Sequence, residues 1–162
     1  MTPTPVARAF ARTIPAAAAA IALLTACGPE VVYESRHDMP GAWSYADSAD
    51  FRYAIADTSA AYDLTLTLEH TDAFATQNLY ARFVTTYPSG GREVQDVSLE
   101  LADRFGNWLG ECSGEACELT IPLQDGARYP ELGEYGLTLL QHGRTERLSG
   151  VEGVGLAVTV AE

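Results

Sequence analysis

Apolar and polar residues alternate with a period of two along much of this chain. In residues 62–69 (YDLTLTLE) every second residue is Tyr or Leu, and the residues between them are Asp, Thr or Glu. Successive side chains of a β-strand point to opposite faces of the sheet, whereas on a helix these leucines would be spread around the axis. The run therefore predicts a half-buried strand.

The same alternation predicts seven further strands, and turn-forming residues separate them. These strands cover residues 31–34, 51–55, 79–83, 97–101, 119–123, 135–139 and 154–160. Turns are predicted at 87–91 (YPSGG), 124–126 (QDG) and 130–133 (PELG), because Gly supplies positive φ and Pro fixes φ. No helical pattern follows residue 26. The fold class predicted is all-β, an antiparallel β-sandwich or jelly roll of about eight strands.

The N-terminus carries an export signal. Arg8 and Arg12 precede an apolar run at 14–24, which is shorter than the roughly 20 residues of a membrane span. The sequence Leu-Thr-Ala-Cys at 24–27 has the pattern of a bacterial lipobox, which predicts cleavage before Cys27 and its lipidation by chains such as palmitate. The alternative is an ordinary signal peptide with an incidental cysteine.

The predicted organisation has three parts. Residues 1–26 form the signal peptide, residues 27–30 the lipidated anchor and a short linker, and residues 31–162 a single β-sandwich domain. The anchor is the expected contact with the membrane, since several acyl chains hold a protein stably where one holds it only marginally.

The charge balance narrows the classes of partner. The formal net charge is −12, and residues 1–26 contain two of the ten arginines and no acid, so the mature protein is more acidic still. The chain has no lysine. An acidic surface repels phosphates, which argues against nucleic-acid binding, and it also repels anionic lipid headgroups, so the lipid must do the anchoring.

Four residues separate Cys112 from Cys117 in ECSGEACE. Export to an oxidising compartment predicts a structural disulfide between them, which would stabilise the fold by roughly 2 kcal/mol. Free thiols are the alternative. The spacing is not that of a redox CxxC motif, and two cysteines without a nearby histidine cannot make a structural zinc site.

Other residues offer little chemistry. The three histidines stand apart from one another, and no HExxH, GxSxG or phosphate-binding loop occurs, so we predict no enzyme, no cofactor and no metal. The acidic segments 47–50 and 103–107 could offer oxygen ligands to calcium, but Asp and Asn more often cap tight turns. Trp43 and Trp108 could stack on sugar rings; packing at the ends of the sandwich is the favoured interpretation.

A series of short motifs behind the lipobox resembles the gliding-motility lipoprotein GldH family of Bacteroidota. The resemblance runs from Cys27 to near the C-terminus, and its most telling stretch is LADRFGNWLG. The motifs lie at residues 32–34, 39–43, 78–80, 101–110, 129–135 and 148–156. The chain departs from the family at 141–144 (QHGR), where we expect a Met before Arg144, and the cysteine pair looks particular to this chain.

The resemblance implies a non-catalytic interaction or scaffold protein of the cell envelope, linked to gliding and its associated protein secretion. Its partners would be envelope proteins of that machinery, and the candidate ligand or partner contacts are Trp43, Trp108, Asp103 and Arg144. The alternative is a lipid-anchored module that binds carbohydrate or peptidoglycan. Gly28 rather than Asp after the lipidated cysteine, with no acidic run, predicts an outer-membrane protein facing the periplasm.

Overall fold

The computed structural model describes residues 28–39 and 41–161, so Cys27 and the predicted signal peptide lie outside it. Within these ranges there is no helix, and hence none that could span a membrane. The strands are β1 (Val31–Asp38), β2 (Ala42–Ser44), β3 (Ser48–Ile55), β4 (Tyr62–Thr71), β5 (Asn78–Thr86), β6 (Arg92–Glu100), β7 (Glu111–Ser113), β8 (Ala116–Ala127), β9 (Gly133–Gln141), β10 (Arg147–Ser149) and β11 (Val151–Val160).

The long strands form two antiparallel sheets in jelly-roll order. One sheet has the order β1-β11-β4-β8, with the short β7 added beyond β8, and the other has the order β3-β9-β5-β6. Consecutive long strands therefore often switch sheets, as a jelly roll requires. The short strands β2 and β10 pair with each other in a two-stranded ribbon. The all-β sandwich predicted from the sequence is confirmed.

The eight predicted strands correspond to the eight long strands of the structure. The three that the sequence did not reveal, β2, β7 and β10, have three residues each. A segment of three residues is too short to show a period of two, which is why the pattern missed them. The predicted turn at 87–91 joins β5 to β6, with the Tyr87 N–H donating to the carbonyl of Gly91 at 2.8 Å.

The turn predicted at residues 124–126 is wrong. Strand β8 continues through this segment to Ala127 and absorbs the turn-like residues as irregularities of its pairing with β4. Gly126 adopts φ of +63°, which favours glycine, and its N–H donates to the Asp63 carboxylate at 2.7 Å. The neighbouring strand thus supplies the hydrogen bond that a turn would otherwise have made locally.

The core lies between the inner faces of the two sheets. Strand β4 alternates buried and half-buried residues along its whole length, so its leucines all point inward. The largest fully buried side chains include Trp43, Tyr135, Phe51, Ile55 and six leucines. Trp43 comes from the short strand β2, and its indole N–H donates to the carbonyl of Asp47 at 2.9 Å. It therefore closes one end of the core.

The two ends of the sandwich differ. The N-terminal linker enters β1 at the end that also holds residues 56–61, 87–91 and 128–132; we call this the anchor end. The connections at 72–77, 101–110 and 142–146 lie at the opposite end, together with the β2–β10 ribbon. The direction of β1 alone thus decides which loops lie nearest the predicted lipid.

Replacing Trp43 with Ala should lower the free energy of unfolding by about 3–5 kcal/mol, because the cavity left by a fully buried indole cannot collapse completely. Urea denaturation followed by circular dichroism measures the loss. Phe105→Ala is the matched control: that ring is 74% exposed, and its removal should change stability by less than about 0.5 kcal/mol. Equal effects of the two changes would contradict this packing role.

Cys112 and Cys117 form a disulfide across the β7–β8 hairpin, where they are directly opposed in register. The predicted pairing is confirmed. We expect the double change Cys112→Ala, Cys117→Ala to lower the free energy of unfolding by roughly 2 kcal/mol, the value for closing so short a loop. Denaturation of the unaltered protein with and without a reductant provides the comparison: reduction should lower its stability to that of the double variant.

Candidate functional site

A cleft opens where the two sheets separate at one side of the sandwich. On the other side β1 packs against β3, but β6 and β8 leave a space of about 630 Å³ between them. This volume lies within the range of roughly 300–1,000 Å³ that is typical of ligand sites in proteins. The cleft is the candidate site because it exposes, to solvent, surface that elsewhere in the sandwich is core.

The floor of the cleft is apolar and comes from both sheets. Its aliphatic and phenylalanine side chains are Leu64, Phe83, Val97, Leu99, Ile121, Leu123 and Leu137. Ile121 and Leu123 on β8 and Val97 on β6 are only half-buried, although their counterparts on the inner strands are fully covered. The outer strands therefore present inward-facing apolar residues that the opposite sheet covers only in part.

Tyrosines fill the anchor end of the cleft. Tyr53 and Tyr129 share a buried hydrogen bond between their hydroxyl oxygens, 3.1 Å apart, and the ring of Tyr135 stacks on that of Tyr53. Burial raises the pKa of both Tyr53 and Tyr129 above the ordinary tyrosine value. These phenols consequently stay protonated at physiological pH and can donate or accept hydrogen bonds, but they do not supply a nucleophile or a base.

Polar side chains rim the anchor end of the cleft. The Tyr87 hydroxyl donates to the Glu93 carboxylate at 2.8 Å, and this hydrogen bond raises the pKa of Tyr87. Gln95 and Gln124 line the opposite walls, and the Arg128 guanidinium donates to the carbonyl of Ser59 at 2.7 Å. The cleft is thus apolar in its depth and hydrogen-bonding at its mouth, an arrangement suited to recognition.

The lining lacks the groups that catalysis usually needs. Among the described residues around the cleft, the only carboxylate is Glu93, and neither histidine nor cysteine is present. Within the same part of the chain no cluster of His, Cys, Asp and Glu could hold a metal ion. The arrangement can bind a partner by burial and hydrogen bonds, and it offers no paired acid and base for turnover.

The structure places the predicted tryptophans away from the cleft. Trp43 has no exposed surface, so a sugar ring cannot stack on it, and the packing interpretation is the one the structure supports there. Trp108 is half-buried at the opposite end and packs edge-on against His70, with ring centroids 4.5 Å apart, and against Phe74. His70 is fully buried, and its Nε2 has no hydrogen-bond partner.

Asp103 organises its own loop. Its carboxylate accepts hydrogen bonds from the backbone N–H groups of Phe105 and Asn107 at 2.8 and 2.9 Å, and from the Asn107 side chain at 2.9 Å. The turn interpretation of this acidic segment is therefore the one that the geometry supports, and the same holds for Asp47, which accepts from Ser44. Arg144 is exposed at the same end, and Cys27 lies outside the described residues.

Sequence reasoning missed the cleft because no motif marks it. A signal does exist in β6: the alternation predicted the strand from residue 97 onward, but its first half, REVQD, places Glu93 and Gln95 on the face that should be apolar. Polar residues on the inner face of an edge strand indicate that solvent reaches this face. The departure from alternation was therefore informative about the site.

The sequence profile of the GldH lipoprotein family matches residues 31–158, which is nearly the whole described domain. The chain belongs to this family. It is also similar to a curated protein named gliding motility lipoprotein GldH homolog, from Christiangramia forsetii, with 22% identity over 148 residues. That alignment covers 85% of this chain and 89% of the relative. The family resemblance inferred from the motifs is confirmed, and with it the membership among gliding-motility lipoproteins.

Solved structures of similar shape are carbohydrate-binding modules of family 35. The module from Cellvibrio japonicus Abf62 covers 85% of this chain and 94% of its own length, with 16% identity and a TM-score of 0.32. A family 35 module from an environmental isolate has 13% identity and a TM-score of 0.33, covering 84% of this chain and 94% of its own. Likeness at this level concerns the fold alone.

The hydrogen bonds of the Asp103 loop should make the stability of the protein depend on pH in the acidic range. Hydrogen bonds from Asn107 and its backbone hold the pKa of Asp103 below its usual range, so the stabilisation is present above the unfolded-state pKa and is lost as pH falls through the lower, folded-state value. Carbon-13 NMR titration of the Asp103 carboxyl should give a midpoint below 3.8, with the chain in urea as the unfolded reference. An equal midpoint in both states would contradict the loop geometry.

Proposed function

We propose that this protein is a lipid-anchored, non-catalytic binding component of the cell envelope that serves gliding motility and its linked protein secretion. Membership in the GldH lipoprotein family supports the association with gliding. The observation that carries the binding role is the cleft between β6 and β8, which exposes apolar core surface beneath a polar rim. Its partners are envelope proteins of the same machinery.

The position of the cleft relative to the linker supports this role. The tyrosine end of the cleft lies at the anchor end, and Glu30, which precedes β1, accepts a hydrogen bond from the Val160 N–H at 2.9 Å. Three residues, 28–30, separate the predicted lipidated Cys27 from β1, and the four steps from Cys27 to Val31 reach roughly 13 Å when extended. A partner seated in the cleft would therefore lie close to the membrane surface.

Lipidation at Cys27 and delivery to the periplasmic face of the outer membrane remain part of the proposal. The acidic surface of the domain supports attachment through lipid, since an acidic protein gains nothing from anionic headgroups. Protease treatment of whole cells tests the orientation: a domain that faces the periplasm should survive, and its removal would place it on the cell surface.

Crosslinking in the native host, followed by purification of a C-terminally tagged copy and mass spectrometry, tests the binding role. We expect other envelope components of the gliding and secretion machinery to be recovered. Retention of glycan or peptidoglycan fragments without a protein partner would instead favour the carbohydrate-binding alternative, which the burial of Trp43 weakens.

The variant Gln95→Trp places an indole in the mouth of the cleft without disturbing the core, because Gln95 is exposed and lines the opening. We expect it to reduce partner recovery at least about tenfold, as expected when a bulky group occludes a buried anchor site. Thr120→Trp is the matched control, since Thr120 is exposed on the outer face of β8. Equal recovery from both variants would exclude the cleft as the binding site.

A further inference from the structure

The two strands that border the cleft both have free edges, but these edges differ. Strand β6 pairs only with β5, in nine consecutive pairs without a register shift. Strand β8 is covered by β7 only at residues 116–118, and the rest of its outer edge has no partner among the described strands. An unpaired strand edge is a row of backbone donors and acceptors that can pair with another chain.

The free edge of β8 is blocked. The Asp72 N–H donates to the carbonyl of Glu115, the residue just before β8. In an antiparallel pair the backbone N–H and C=O groups of every second residue point to the same neighbouring strand. The odd-numbered residues of β8 therefore bond to β4, and the even-numbered ones point to the free edge. Pro122 therefore has its nitrogen at the free edge, where it offers no donor. Register shifts between Tyr62 and Thr65 on the partner strand, opposite this segment, distort the same edge further.

The free edge of β6 is intact. The Tyr87 N–H donates to the carbonyl of Gly91, and the Leu101 N–H donates to the carbonyl of Gln77, so odd-numbered residues of β6 bond to β5. The even-numbered residues from Arg92 to Glu100 direct their N–H and C=O groups outward. None of them is proline or glycine. A whole strand of main-chain groups is thus available beside the cleft.

We propose that the occupant of the cleft is an extended peptide segment of a partner protein, which adds to the free edge of β6 as a further strand of the β3-β9-β5-β6 sheet. This inference rests on the proposed binding role and names the form of its partner. Strand addition gains affinity from main-chain hydrogen bonds and specificity from pockets that accept alternate side chains. The inward-facing side chains of the added strand would fill the space between β6 and β8.

The charges of β6 and β8 indicate the composition of the incoming segment. Strand β6 carries Glu93, Asp96 and Glu100 against Arg92, and β8 carries Glu118 and Asp125 without a basic residue. Asp96 is already paired with Arg82, at 2.6 Å. Glu93 lies in the cleft and accepts a hydrogen bond from Tyr87, which leaves Glu100 as the acid on the outer face of β6 that can meet an incoming strand. The complementary segment alternates apolar residues, which enter the cleft, with basic residues, which remain at the surface.

The polar anchor end argues against a lipid chain as the occupant. Glu93, Gln95, Gln124 and Arg128 all line the cleft, and an acyl chain would desolvate these groups without replacing their hydrogen bonds to water. A peptide, in contrast, brings its own donors and acceptors to this rim. The geometry therefore favours a polypeptide over the acyl chain of a lipid.

The direct test uses the lipidated protein purified in detergent and a capped, dye-labelled peptide of eight residues in which valine alternates with lysine. Fluorescence anisotropy should show saturable binding, and a peptide of the same composition with four valines followed by four lysines should bind at least about tenfold more weakly. Equal binding of the two peptides would show attraction by charge alone, and no binding of the alternating peptide would likewise overturn the proposal.

Proline substitutions test which strand edge pairs with the peptide. Val94→Pro removes a donor from the free edge of β6, where it bonds to nothing in the fold, and should weaken peptide binding at least about tenfold. Val94→Thr keeps the N–H and should bind within about twofold of the unaltered protein, as should Thr120→Pro on the edge of β8. Ser98→Pro repeats the test at the far end of β6, and circular dichroism verifies that each variant folds.

The outcomes separate this inference from the proposed function. Loss of binding with Val94→Pro and Ser98→Pro, but not with Thr120→Pro, establishes strand addition on β6. Unchanged peptide binding by both β6 proline variants overturns it. If the same variants still recover envelope proteins from the host, the binding role stands and only its mode is wrong; if the unaltered protein recovers none, the proposed function itself fails.

Discussion

The burial of one face of each sheet against the other is the constraint on which this structure depends. A strand with a period of two has a single apolar face, and the eight long strands can cover those faces only by forming two layers. The jelly-roll order then places β1 beside β3 and leaves β6 opposite β8. The surface available to a partner therefore depends on how completely the two sheets cover each other on each side of the sandwich.

The open side is a consequence of the edge strands. In a sandwich the outermost strands have one neighbour in their own sheet and incomplete cover from the other, so their inner faces stay partly wet. Here the inner face of β6 carries the polar residues Glu93 and Gln95. Strand β8 contains a proline and pairs irregularly with β4. The proline and the irregular pairing of β8 limit uncontrolled association at its edge. The edge of β6 has neither feature, and this one regular edge lies beside an apolar cleft, a suitable surface for a chosen partner.

The end opposite the anchor is stabilised by different means. Short elements hold its connections in place: the β2–β10 ribbon, the disulfide between Cys112 and Cys117, and the Asp103 turn. Trp43 and Trp108 both pack there, which explains why two conspicuous aromatic residues do not mark the binding surface. The motif LADRFGNWLG thus forms a loop at this end, and the Asp103 carboxylate holds its turn.

The sequence by itself determined the all-β class, the positions of the eight long strands, the disulfide and the family, because alternation, cysteine spacing and ordered motifs are local properties of the chain. It did not determine the three-residue strands or the continuation of β8 through residues 124–126, since both depend on hydrogen bonds supplied by distant strands. The cleft was decided only by tertiary structure. Which strands become edges, and which of their faces lack a partner, depends on the order of strands in the two sheets, and no single segment contains that order.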